Sequence, residues 1–200
     1  MLLGDRRAIH KTLDPAGQTD LLEVITEETD RLNSFVDSMV GVARIEAGSD
    51  DWRDEEVHAG ELISNVLDRA ANITVGHEVE VRVKPEDLAF RADARAIGEA
   101  LYNLLDNATK YSPRGTTITI SAVPTSGGTR IAVEDEGPGI PKEDQERIFD
   151  KFYRGDLSGG GFGLGLAIVR GIIEAHGGRV WVEDGRRGAR FVIDIPMRSK

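Results

Sequence analysis

The chain contains no cysteine. Disulfides and thiolate metal sites are therefore excluded by composition alone, and the absence fits a reducing, cytosolic setting. Histidine is scarce, at four residues, and aromatic residues make up only 6%. There is no basic excess either. Twenty-five Lys and Arg against 35 Asp and Glu leave a net charge of −10, which argues against nucleic acid as a partner of the module as a whole. A local basic pocket for phosphate stays open. No apolar run approaches the roughly 18–20 residues of a transmembrane helix. Met1-Leu2-Leu3-Gly4-Asp5-Arg6 reaches charge too soon for a signal peptide. The expectation is a cytoplasmic portion, with a longer parent free to be anchored in the inner membrane. What remains is an ordinary globular composition, 40% hydrophobic and 30% charged over 200 residues. That length suits one full domain with an extra segment.

Two zones differ in pattern. From Asp20 to Ala47 there is no proline and one glycine, Gly41. Leu21, Leu22, Ile25, Leu32, Phe35, Val36, Met39, Val40, Val42 and Ile45 recur mostly at steps of three or four. That spacing predicts an amphipathic helix of about 40 Å, capped by Thr19 or Asp20 and ended by Gly48. Its stripe needs a partner: its own globular domain, or a helical hairpin that pairs with a second copy as a four-helix bundle. The acidic stretch Ser49 to Glu56 separates the helix from the remainder of the chain and favours the bundle.

Beyond it, helices are expected at Leu62–Ala71, Ala94–Lys110 and Gly163–His176, and a strand at Glu78–Val83. Thr117–Val123 and Thr129–Glu134 read as a hairpin turned at Thr125-Ser126-Gly127-Gly128. Arg179–Glu183 and Ala189–Ile195 read as a closing hairpin turned at Asp184-Gly185. The expected fold is α+β: a two-layer α/β sandwich with a mixed, mostly antiparallel sheet and helices on one face, preceded by a long helical arm. The expected divisions are residues 1–48, a linker at 49–56, and a module at 57–197.

Three stretches of the module carry chemistry. In Asn103-Leu104-Leu105-Asp106-Asn107-Ala108-Thr109-Lys110-Tyr111, Asn103 and Asn107 share one helix face, with Lys110 close to it. Leu101, Leu104, Leu105 and Ala108 form the opposite, buried face. An amide oxygen can ligate a hard cation and a lysine can meet phosphate, although two asparagines are often only a solvated face. In Asp135-Glu136-Gly137-Pro138-Gly139, an Asp at a strand end can accept from an exocyclic amine, and the glycines permit close backbone approach; a plain turn would look the same. In Gly159-Gly160-Gly161-Phe162-Gly163-Leu164-Gly165-Leu166, a glycine-rich loop feeds a helix N-terminus, an anion site by its free N–H groups and dipole. A surface loop before a helix is the plain alternative. Neither a Walker A loop nor a Rossmann fingerprint is present.

Taken in this order, the stretches resemble the nucleotide-binding boxes of the ATPase superfamily shared by gyrase, Hsp90, MutL and histidine kinases. Asn103 to Tyr111 resembles the N box, Asp135 to Gly139 the first glycine box and Gly161 to Leu166 the second. Ile148-Phe149-Asp150-Lys151-Phe152-Tyr153-Arg154 resembles the F box of histidine kinases. His176-Gly177-Gly178 and Gly188-Ala189-Arg190-Phe191 also match that family, and the resemblance spans Val57 to Pro196. Leu21 to Gly48 resembles the second helix of the family's dimerisation and phosphotransfer domain, down to Ala43-Arg44-Ile45-Glu46-Ala47-Gly48. This ending, with Phe149 to Arg154, is similar to potassium-responsive sensor kinases of the Kdp type.

The resemblance implies ATP and Mg²⁺ as cofactors. It implies Asn107 as the Mg²⁺ ligand with Asn103 nearby, Lys110 on the phosphates and Tyr111 packed on adenine. Asp135 would read the adenine amine, and Gly137 and Gly139 would let the chain pass close to the base. Arg154 would reach a terminal phosphate, so Lys110 and Arg154 are the catalytic candidates. Gly161, Phe162, Gly163, Leu164, Gly165 and Leu166 would contact the nucleotide, and Gly155 to Phe162 would form a short lid. The implied activity is transfer of the ATP γ-phosphate to a histidine, for relay to the receiver domain of a response regulator, in a homodimeric parent.

One part of the family pattern is missing. The phosphoacceptor is a His followed by an acid on the first helix of the hairpin. Here His10 is followed by Lys11, and Asp14-Pro15-Ala16-Gly17 reads as a loop joining two helices. The expectation is that Met1 to Ile9 is the tail of the first helix, that the acceptor lies upstream, and that this chain does not label itself. Three rival readings remain. An ATP hydrolase of the gyrase, Hsp90 or MutL type would carry a Glu base where Asn103 stands, and an amide cannot take a proton from water. An anti-sigma-factor serine kinase would lack the long helix. A non-enzymatic dimerising adaptor with a vestigial site would not need intact Asn107, Asp135 and glycine boxes.

Overall fold

The computed structural model describes residues 52–154 and 162–197 continuously, together with 19, 21–22, 24–26, 28–29, 32, 35–36, 39–41 and 43. The chain divides into two compact units, residues 1–37 and 38–200. In the first unit every described residue is helical, as the apolar spacing predicts. Leu21, Leu22, Val24, Ile25, Leu32 and Val36 are all more than 45% exposed. Met1 to Ile9, His10 and Arg44 to Gly48 lie outside the described residues.

The second unit holds the module. Its elements run β1 (Glu55–His58), α1 (Ala59–Arg69), β2 (Glu78–Val83), β3 (Ala89–Ala92), α2 (Ala94–Tyr111), β4 (Thr117–Thr125), β5 (Gly128–Glu134), a 3₁₀ turn (Arg147–Phe149), α3 (Gly165–Ala175), β6 (Arg179–Asp184) and β7 (Ala189–Pro196). Five strands form one sheet in the order β2-β4-β5-β7-β6. Only the β2–β4 pair is parallel. The mixed, mostly antiparallel sheet with helices on one face is the expected two-layer fold.

Alternation explains the layers. Along β4, Ile118, Ile120 and Ala122 point inward and are buried, as are Ile131 and Val133 of β5 and Phe191, Ile193 and Ile195 of β7. Against them α2 lays Ile97, Leu101, Leu104, Leu105 and Ala108, spaced three and four apart. Each such Leu or Ile contributes about 1.5–3 kcal/mol by leaving water. Asp93 starts α2 by accepting from Ala96 N at 2.9 Å, a favourable N-cap.

Helix α1 starts at Ala59 and ends at Arg69, not at Leu62 and Ala71, and two further elements differ from the sequence expectation. The third helix starts at Gly165, not Gly163, because Gly163 has φ +70°, which no α-helix contains. The ribbon of β1 with β3, Glu55↔Ala92 to His58↔Ala89, was not anticipated. Val57 is the only buried residue of β1, so four residues offer too short an alternation to read.

Candidate nucleotide site

The site grows from the end of β5. Asp135 follows that strand and is buried, at 4% exposure. Its backbone N–H donates to Ala189 O at 2.9 Å, which extends the β5–β7 pairing by one step. Its Oδ1 accepts from Gly137 N at 2.7 Å and from Ala189 N at 3.2 Å. Oδ2 is left to receive a further donor. Burial pushes the Asp135 carboxyl above its ordinary value, the Gly137 and Ala189 N–H groups pull it back, and the neighbouring Glu134 charge adds to the rise.

The walls around this carboxylate are backbone. A Cβ on Gly137 would lie 2.8 Å from Tyr111 O and 2.9 Å from Asp135 Oδ1. A Cβ on Gly188 would lie 2.5 Å from Gly137 N and 2.6 Å from Asp135 O, and closer still to Asp135 Oδ1. Neither position has room for a side chain. The first glycine box thus meets the last residue of α2 on one side and the β6–β7 loop on the other. Gly188 and Ala189 were not among the expected site residues. Their signal was present in the Gly188 to Phe191 match, which carried no assigned role. The β6–β7 turn occupies residues 185–188, closed by Gly185 N donating to Gly188 O at 2.8 Å, and so brings Gly188 to Asp135.

The second half of the site lies where α2 meets α3. Asn103 and Asn107 are half-buried on the α2 face opposite Leu101, Leu104, Leu105 and Ala108, which are buried. Asn103 Nδ2 donates to Glu99 O at 2.9 Å, and its Oδ1 stands 3.0 Å from where a Gly165 Cβ would be. The asparagine face therefore abuts the first residue of α3. Leu164, the N-cap of α3, offers no side-chain cap. The N-cap thus supplies no side-chain acceptor to the N–H groups of the first turn, the arrangement that suits an anion.

Lys110 is exposed in the last turn of α2 and pairs with Asp106 one turn earlier. Tyr111 is half-buried. Leu164 is buried, and Phe162 and Leu166 are half-buried. Gly161 and the lid residues 155–161 lie outside the described residues. Gly139, at φ +75°, lies beside Gly188.

The F-box stretch is tied to the second glycine box. Phe152 N donates to Gly163 O at 2.9 Å. A Cβ on Gly163 would fall 2.7 Å from Tyr153 O. Phe149 anchors the stretch edge-on to Phe191, with ring centroids 6.4 Å apart. Phe152 itself takes φ +62°, a strained conformation for a non-glycine residue and the kind that gathers at ligand sites. Arg154 is exposed at the end of this described stretch.

Among the described residues no group of three or more His, Cys, Asp or Glu could hold a metal ion. A cation here would need oxygens from a ligand in addition to an amide, as magnesium commonly takes them. No described helix is long and apolar enough to cross a membrane.

The chain is similar to several known proteins. Residues 92–199 match the family described as histidine kinase-, DNA gyrase B-, and HSP90-like ATPase. The sensor protein KdpD of Clostridium acetobutylicum is 31% identical over 92% of this chain and 21% of its own length. Among solved structures, the mycobacterial sensor histidine kinase MprB superposes with a TM-score of 0.66 and 33% identity, over 74% of this chain and 100% of that one. The histidine kinase ThkA, solved in complex with the response regulator protein TrrA, superposes with a TM-score of 0.74 and 29% identity, over 93% of this chain and 53% of that one. The chain spans between 21% and 44% of the length of the curated relatives it matches.

Proposed function

The chain belongs to the histidine kinase-, DNA gyrase B- and HSP90-like ATPases, with the ATP-binding catalytic domain of the histidine kinases, and from that premise we propose that it transfers the ATP γ-phosphate to a histidine for relay to a response-regulator aspartate. One observation supports kinase over hydrolase. The α2 face against the N-terminus of α3 presents Asn103, with its amide held by Glu99 O, where a hydrolase needs a carboxylate to take a proton from water. Phosphate then moves only when a nucleophile arrives from elsewhere.

In this reading Asp135 Oδ2 accepts the adenine amine, Gly137 and Gly139 let the backbone pass the base, and Tyr111 packs on it. Asn107 supplies one amide oxygen to Mg²⁺, whose charge would offset that of the phosphates. Lys110 exchanges Asp106 for a phosphate oxygen, Arg154 reaches the terminal phosphate, residues 161–166 contact the nucleotide, and residues 155–162 form a short lid over the triphosphate. Residues 1–48 belong to the dimerisation and phosphotransfer hairpin, 49–56 to a linker and 57–197 to the catalytic module. The Kdp type is one subfamily that fits. A receiver domain is the partner, in keeping with ThkA, which was solved in complex with a response regulator protein, and the parent is a homodimer that can be anchored in a membrane.

The direct test supplies radiolabelled ATP, the chain, and a separate helical bundle bearing an acceptor histidine. Acid-labile, base-stable label on the bundle and none on the chain alone is expected. Steady phosphate release without a bundle would favour the hydrolase, and label on the chain lost in His10→Gln would make His10 the acceptor. For the dimer, the contact is the apolar stripe read from the sequence spacing of Ile25, Leu32, Phe35, Met39 and Val42. If light scattering finds the parent chain dimeric, Leu32→Glu with Met39→Glu should halve its mass, and an unchanged mass would reject the stripe.

A further inference from the structure

His176 is one of four buried polar or charged residues in the described core, at 2% exposure, and the nucleotide reading gives it no task. It is the C-cap of α3. Its Nδ1 lies 2.7 Å from Ile172 O, in the last turn of that helix. Its Nε2 accepts from Asp93 N at 3.3 Å. A carbonyl oxygen requires a donor and an amide N–H requires an acceptor. The ring is therefore the tautomer with its hydrogen on Nδ1 and its lone pair on Nε2. Asp93 is the N-cap of α2. One ring thus joins the end of α3 to the start of α2.

The two helices run antiparallel, since Asp93 meets His176 at one end and Asn103 meets Gly165 at the other. The ends are ten residues of α2 apart, about 15 Å along its axis. Trp52 lies against the ring, centroids 5.2 Å apart, and Arg53 N donates to Asp93 Oδ2 at 3.0 Å. The chain entering the module is pinned to the same junction.

We propose that His176 is a positioning residue for the nucleotide's phosphates: by tying the C-terminus of α3 to the N-cap of α2, it sets the spacing at the far end of that pair between the Asn103–Asn107 face and the N-terminus of α3. This deepens the ATP-site reading and rests on it. The adenine end is held differently, by β5, β7 and the 185–188 loop. Loosening the helix pair should therefore weaken the hold on phosphate and spare the hold on adenine.

The test titrates the whole chain and its variants with Mg-ATP and with adenosine. His176→Leu removes both bonds, and roughly a fivefold or greater loss of Mg-ATP affinity is expected, with adenosine affinity kept within about twofold. His176→Gln, whose amide both donates and accepts, should recover most of the loss. Equal Mg-ATP affinity in the Leu variant and the parent would overturn the proposal. So would adenosine affinity falling in step with ATP, the mark of a merely structural role. Should the Leu variant not fold, nitrogen NMR of the parent decides. The hydrogen must sit on His176 Nδ1, and Mg-ATP, but not adenosine, must shift the His176 ring and the Asp93 amide. A proton on Nε2, or resonances that Mg-ATP leaves in place, would overturn it. A parent that binds neither ligand overturns the ATP-site reading and this inference with it. That result is distinct from a parent that binds ATP and a Leu variant that binds it equally well.

Discussion

The two ends of the site are built from different materials. Around Asp135 the walls are backbone: Gly137 and Ala189 donate to the buried carboxylate, Gly188 packs against it, and the Tyr111 carbonyl closes on Gly137. Around the Asn103–Gly165 junction the groups are long or half-exposed side chains and a helix N-terminus. Further along α2 Lys110 rests on Asp106, and Phe152, bonded to Gly163 O, and Arg154 are exposed. A shaped cavity for one flat base can be rigid before the ligand arrives. A highly charged group that must leave with its phosphate transferred is better met by charges that can move. On the proposed reading, the contrast would put specificity in backbone sterics and turnover in side-chain electrostatics.

The adenine end should be the easier to break. Gly188→Ala places a methyl among Asp135 Oδ1, Asp135 O and Gly137 N. Relief requires moving two backbone segments, and overpacking of this kind costs roughly 3 kcal/mol. Loss of detectable ATP binding with a clearly lowered melting temperature is expected. A variant that binds ATP normally would show that the 185–188 loop is not a wall of the site.

A smaller and more selective effect comes from Asp135→Asn. The amide keeps an acceptor for Gly137 and Ala189 but loses the charge that meets the amine. About ten- to a hundredfold weaker ATP binding is expected, from the roughly 1.5–3 kcal/mol of a charged hydrogen bond. The sign of the pH effect comes from burial. The folded carboxyl titrates above the ordinary value of 3.8, and its ionised form is the one that accepts the amine. ATP affinity is therefore full above the raised value and is lost as pH falls through it, earlier than an ordinary aspartate would allow. The ligand-free fold behaves oppositely. Ionising a group whose folded value is raised costs stability, so this contribution improves as pH falls, and the Asn variant at neutral pH should melt no lower than the parent. Calorimetry across pH with paired melting curves measures both. Equal ATP affinities in parent and variant would remove Asp135 from the adenine site.

At the phosphate end the expected losses are smaller and conditional. Asn107→Ala should lower ATP affinity about tenfold in magnesium and much less in a chelator, because only the metal-linked part depends on the amide oxygen. Titrations with and without magnesium separate the two. An equal loss in both would make Asn107 a packing residue and would blur the contrast between the ends.

The residues proposed to face the nucleotide were legible because their types are chemically constrained and lie within short segments. Asn103, Asn107 and Lys110 share one helical face by a period of 3.6. Asp135 follows a strand, Gly163 precedes a helix and Gly165 starts it. The same periodicities made the main helices and both large hairpins readable. The β1–β3 ribbon was not, since four residues with a single buried position carry no period. Gly188 was visible as a motif but not as a wall, because nothing local shows that a hairpin loop reaches a strand end more than fifty residues earlier. His176 read as the start of a turn. Its ring joins two helices whose contacting ends are 83 residues apart in the chain. The amino-acid sequence by itself determined the elements, their buried faces and the chemical kinds at the site, because propensity, period and side-chain chemistry act over a few residues. Only the tertiary structure decided which glycines are walls, which carboxylate is desolvated and which histidine bridges two helices, because steric exclusion and burial depend on what the folded chain brings alongside.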